Sequence, residues 1–123
     1  MVNNPVNWFE IYVQDMKQAK AFYEGVLQIE LGPLDGPDLE MLAFPANFES
    51  YGSAGALVRY PEKSSGVNST IVYFSCEDCA NEASRVTENG GQIEREKMSI
   101  GQHGFVVLAT DPDGNMIGLH STS

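Results

Sequence analysis

The sequence predicts an α+β protein: two βαβββ modules in tandem, with a cleft between curved mixed sheets. Two observations predict it. An alternating run, a capping aspartate and a helical stretch occur at Trp8 to Asp15 and beyond, and the same order recurs 63 residues later from Ile71 to Asp78. Each occurrence is followed by short apolar runs punctuated by turn residues, so each half reads β-α-β-β-β. The 123 residues suit one domain, spanning 1–123, with module one at about 5–61 and module two at about 69–121.

The elements follow from local patterns. Trp8 to Val13 alternates in the strand manner, with Phe9, Ile11 and Val13 on one face and Trp8, Glu10 and Tyr12 on the other. Asp15 is placed to cap a helix. Met16, Ala19, Phe22, Tyr23, Val26 and Leu27 then recur at helical spacing, with Lys17, Gln18, Lys20 and Glu24 on the polar face. Gly32-Pro33, Asp35-Gly36-Pro37 and Gly52-Ser53 read as turns around apolar runs at Leu39 to Phe44 and Gly55 to Tyr60. Pro61 to Asn68 is polar and reads as the linker. In the second half Thr70 to Cys76 alternates, and Asp78 caps a helix carrying Ala80, Ala83 and Val86. Asn89-Gly90-Gly91 ends it with a left-handed cap. Strands follow at about Gln92 to Lys97, Gly104 to Thr110 and Asn115 to His120, the last two joined by a turn at Asp111-Pro112-Asp113-Gly114-Asn115.

Charge and composition exclude several roles. The net charge of -10 repels phosphate backbones and anionic surfaces, so neither nucleic acid nor membrane is an expected partner. The expected location is the cytoplasm, since the chain shows no secretory leader and no apolar span of about 20 residues. Cys76 and Cys79 form a C-x-x-C pair. That spacing suits a redox couple or half a zinc site, but the partner ligands of a zinc site are missing. The acidic Glu77 and Asp78 between the cysteines should raise the thiol pKa values and oppose a reactive thiolate.

The candidate site follows from the strand faces. The all-apolar faces should meet the helices. That leaves Trp8, Glu10 and Tyr12, Ile71, Tyr73 and Ser75, and Met116, Gly118 and His120 facing the cleft. Trp8, Tyr12, Tyr73 and Met116 would contact a flat or partly apolar ligand, though as core filler they would serve equally. Glu10 beside Trp8 and Tyr12 would be partly desolvated, with the raised pKa of a general base. His120 would be its acid/base partner, and a structural hydrogen-bonding role fits either residue as well. His103, in Gly101-Gln102-His103-Gly104, is either a lid residue over the pocket or an exposed turn residue. No nucleotide-binding glycine motif and no nucleophile elbow occurs.

The stretch Trp8-Phe9-Glu10-Ile11-Tyr12-Val13-Gln14-Asp15-Met16, the helix Ala19-Lys20-Ala21-Phe22-Tyr23-Glu24-Gly25-Val26-Leu27 and the end Asp111-Pro112-Asp113-Gly114-Asn115-Met116-Ile117-Gly118-Leu119-His120-Ser121 resemble the vicinal oxygen chelate superfamily. This superfamily includes glyoxalase I, bleomycin-resistance proteins and extradiol dioxygenases. The chain looks nearest to its glyoxalase-like subgroup of predicted enzymes related to lactoylglutathione lyase. The resemblance spans the chain and implies the glyoxalase-like fold, a cleft for small molecules and a homodimer.

The resemblance also implies a divalent ion held by a His or Glu on each of four strands. Here the matching positions are Trp8, Ile71, Gly118 and one of Gly55 to Leu57. None of these side chains can coordinate a metal, so no metal ligand and no cofactor is expected. The leading expectation is a protein that binds a small, partly apolar molecule without the ion, for sequestration, resistance or sensing. The alternatives are a lyase or isomerase using Glu10 and His120 or an atypically placed metal, and a dimeric interaction module.

Overall fold

The computed structural model describes residues 4–34, 39–61, 64–66 and 68–123. The expected turn at Asp35-Gly36-Pro37 lies outside the described residues. The chain runs β1 (Trp8–Tyr12), α1 (Met16–Leu27), β2 (Gly32–Pro33), β3 (Glu40–Ala43), β4 (Ala54–Arg59), β5 (Val72–Ser75), α2 (Cys79–Ala83), β6 (Gln92–Ser99), β7 (Phe105–Thr110) and β8 (Met116–Ser121). Two four-stranded sheets result, in the orders β1-β4-β3-β2 and β5-β8-β7-β6. In each, the first strand lies parallel to the last and every other pairing is antiparallel. This is the tandem βαβββ arrangement that the repeat predicts.

The repeat is visible at matching hydrogen bonds. Asp15 accepts from the Gln18 amide and Asp78 from the Ala80 amide, each holding a helix start. After β1 the Val13 amide donates to the Val58 carbonyl, and after β5 the Cys76 amide donates to the His120 carbonyl.

Two sequence readings need correction. Gly32-Pro33 is not only a turn, because it pairs with Leu42 and Ala43 as a short edge strand. An edge position tolerates proline, whose missing N–H would break an interior ladder. The second helix is also shorter than its apolar spacing implies. It stops at Ala83, and Thr87–Asn89 forms a separate 3-10 turn. Ser84 Oγ donates back to the Asn81 carbonyl at 2.7 Å, a local bond that competes with helix propagation. Gly90, at φ +97°, supplies the expected left-handed end.

The core joins the two units. Ile11 from β1 and Val13 just after it pack with Phe22, Tyr23 and Val26 from α1, and with Cys79, Val86, Val107, Ile117 and Leu119 from the second unit. At the junction Phe44 stacks obliquely against Phe9 and Phe74, at centroid distances of 5.5 and 5.4 Å, and Tyr23 meets Phe44 edge-on at 5.6 Å. No helix among the described residues is long and apolar enough to cross a membrane.

Candidate functional site

Alternation along β1 sets Trp8, Glu10 and Tyr12 on the face away from this core. The Glu10 carboxylate accepts from Tyr12 Oη at 2.8 Å and from Trp8 Nε1 at 3.3 Å. Three side chains of one strand face thus form a single polar-aromatic group. The cross-strand partners of the three are Ala54, Ala56 and Val58, all buried. Glu10 itself is exposed, so the expected desolvation is not found. The edge strand has few neighbours to cover it. Tyr12 carries the electrostatic consequence: its phenol pKa is raised by the hydrogen bond to Glu10, then by burial.

A cleft of about 270 Å³ runs along this strand, lined by Glu10, Tyr12, Asn68, Thr70, Met116 and Ile117 among others. Its wall is pinned by polar contacts. Ser65 Oγ donates to the Tyr12 carbonyl at 2.6 Å, and the Gly66 amide donates to Asn115 Oδ1 at 2.7 Å. The Asn68 side chain accepts from the Met116 amide at 2.9 Å and donates to its carbonyl at 3.2 Å. Sequence reasoning missed Asn68, because a polar linker carries no periodicity that would point it toward a site, and Thr70, because alternation groups it with Val72 and Phe74 on the helix-facing side.

Of the other expected residues, Tyr73 and His120 line a separate open groove of about 550 Å³ with Ser75 and the 51–53 loop. Glu10 and His120 therefore line different cavities within one chain. Tyr73 is 50% exposed and Trp8 37%. His120 Nε2 stands 2.7 Å from the His103 carbonyl oxygen. That geometry makes Nε2 the protonated nitrogen and ties the ring to the backbone. His103 is exposed and contributes this carbonyl. Neither Trp8 nor His103 lines one of the cavities described.

The C-x-x-C pair is not poised for redox work. Cys79 is buried and Cys76 half-buried, both as free thiols. Burial pushes the Cys76 pKa up to about 12, with Glu82 adding to the rise. The expected direction holds, but the cause is burial and Glu82 rather than Glu77 and Asp78. Cys76 is accordingly expected to resist iodoacetamide in the folded protein at pH 8 and to react at the free-thiol rate in urea. Comparable labelling rates in the two states would refute this.

Tandem βαβββ units with a cleft beside the first strand define the glyoxalase-like fold class. The profile of the Glyoxalase/Bleomycin resistance protein/Dioxygenase superfamily matches residues 6–119, and the chain belongs to that superfamily. No curated protein matches the sequence. Among solved structures, glyoxalase I from Zea mays superposes with a TM-score of 0.73 at 21% identity, over 96% of this chain and 46% of that one. The chain thus spans about half the length of the maize protein. TnmS3, an antibiotic binding protein from Streptomyces sp. CB03234, gives 0.69 at 25% identity over 100% of this chain and 99% of that one. A glyoxalase-related enzyme from Fulvimarina pelagi gives 0.67 at 16% identity, over 97% and 88%.

The residues present do not fit the divalent ion of metal-dependent relatives. The four matching positions offer an indole, an aliphatic chain, a glycine and the Gly55 to Leu57 stretch, none with a donor for a hard or borderline cation. The space above Gly118 is also filled, since a Cβ built there would overlap the Tyr73 ring. Among the described residues no group of three or more His, Cys, Asp or Glu could hold a metal ion.

Proposed function

We propose that this protein binds a small, partly apolar molecule beside the Trp8–Glu10–Tyr12 face without the family's ion, for sequestration, resistance or sensing. The observation that carries the reading is the carboxylate fixed between an indole and a phenol on an exposed strand face. An aromatic surface with one oriented acceptor is the usual make-up of a small-molecule site. The likeness to an antibiotic binding protein over nearly the whole of both chains supports it. We further propose a homodimer in which a second copy covers part of the exposed apolar surface, to which Trp8, Tyr73 and Met98 contribute. Light scattering at twice the chain mass is the expected result.

Trp8 is the sole tryptophan, so native indole fluorescence at fixed protein concentration reports on this strand face. In a screen of aromatic antibiotics, a binder is expected to raise the melting temperature and to quench or shift Trp8 emission. Glu10→Gln should weaken that binder about tenfold, as loss of one charged acceptor does. Nickel, zinc, manganese and iron(II) should leave the melting temperature unchanged. A stoichiometric metal with a thermal shift, or binders that never perturb Trp8, would overturn the reading.

A further inference from the structure

The cleft along β1 carries its charge at one point. Among the described residues that line it, Glu10 is the only acidic or basic side chain. No lysine, arginine or histidine among the described residues forms an ion pair with it, and the side chain is exposed. Its two partners, Tyr12 Oη on Oε1 and Trp8 Nε1 on Oε2, are neutral donors. They orient the carboxylate and leave its charge uncompensated. A carboxylate offers about four lone-pair positions, and these two donors leave the rest open to a ligand.

The surroundings fit a cation with an apolar body. Val72, Met116 and Ile117 supply apolar wall in the same cleft. The Tyr12 ring borders the cleft, and Trp8, 37% exposed, flanks the carboxylate from the other direction along the strand. Rings attract cations through their faces. The net charge of -10 adds a field that draws cations and repels anions.

We propose that the ligand of this cleft is a small organic ammonium, whose N–H groups donate to the open lone pairs of Glu10 and whose apolar body lies on Val72, Met116 and Ile117. This assignment rests on the reading of the Trp8–Glu10–Tyr12 face as a binding site, and it adds the sign of charge that the face selects.

The test is an amide NMR titration of the full chain with 2-phenylethylamine at pH 7, alongside 2-phenylethanol and 3-phenylpropanoate. The amine is expected to shift the Glu10, Tyr12, Thr70 and Met116 amides. It should bind about threefold to tenfold tighter than the alcohol, as an exposed ion pair with a ring contact supplies. The carboxylate should bind more weakly than either. Glu10→Gln changes an exposed side chain, and it should remove most of the amine's advantage while leaving the alcohol unchanged. Raising sodium chloride from about 0.05 M to about 0.5 M should shrink the same advantage, since exposed charges are screened. An alcohol that shifts those amides at the amine's affinity would overturn the cation assignment and leave the face standing as a neutral site. An amine advantage that survives both Glu10→Gln and salt would overturn it as well. If none of the three probes shifts those amides, the assignment falls. The binding face falls with it only where the antibiotic screen also leaves Trp8 unperturbed.

Discussion

Asp111→Ala is expected to destabilise the fold by about 3–5 kcal/mol, read as a lower urea midpoint with little change in slope. Asp111 is 4% exposed. Its Oδ2 accepts from Tyr23 Oη at 2.7 Å and from Asn115 Nδ2 at 3.0 Å. Its Oδ1 accepts from the amides of Asp113 at 2.9 Å and Asn115 at 2.8 Å. Alanine strands the Tyr23 hydroxyl and the Asn115 donors, and each buried orphan costs about 1–3 kcal/mol. Removing a carboxylate next to Asp113 offsets part of that, since Asp111 and Asp15 help raise the Asp113 pKa after burial does. Tyr23→Phe should cost less than Asp111→Ala, about 1–2 kcal/mol, because Asp111 keeps three donors. In the Tyr23→Phe background, Asp111→Ala should then cost about 1–2 kcal/mol less than in the wild type. A loss below about 1 kcal/mol for Asp111→Ala alone would show that the turn is held by other means.

The same pair gives a pH dependence. Burial, then the Asp111 charge, holds the Tyr23 phenol well above its ordinary 10.0. The unfolded chain loses this proton first as pH rises. The contribution of Tyr23 is therefore complete below pH 10 and is lost at higher pH, toward the folded pKa. Tyr23→Phe should flatten the alkaline limb of the stability profile while lowering the plateau at neutral pH.

The architecture was legible because its signals are local. Asp15 and Asp78 each precede a helix that they do cap, and the β1 alternation correctly sends Ile11 and Val13 into the core. The weaker second helix was misread because Ala80, Ala83 and Val86 keep helical spacing while Asn81 and Ser84 favour local bonds. The site was less legible for a geometric reason. Alternation states which way a side chain points along its own strand, but not what stands opposite. Glu10 and His120 both sit on the expected faces, yet they line different cavities. The units join through α1, the aromatic cluster and the Asp111 turn rather than by closing those two residues on each other.

That mode of joining leads to the second large effect: Phe22→Ala should cost about 3–5 kcal/mol, as large truncations in rigid cores do. Phe22 is fully buried and meets Tyr23 edge-on at 4.9 Å. It belongs to the first unit but fills a dent in the second, where Gly91 has no side chain. A Cβ on Gly91 would come 2.5 Å from both Phe22 Cε1 and the Thr110 carbonyl oxygen. Gly91→Ala should therefore destabilise on its own, by about 1–3 kcal/mol from overpacking. Adding Gly91→Ala to Phe22→Ala should cost less than adding it to wild type, because the ring half of the clash is gone. It should still cost something, because the Thr110 carbonyl remains. The discriminating readout is amide hydrogen exchange in β5, β7 and β8. If α1 is the joint between the units, Phe22→Ala lowers protection in those strands as much as in β1 and β4. Loss of protection limited to β1, β4 and α1 would mean that the second sheet stands without the first unit's helix, and the core would then have to be described as two.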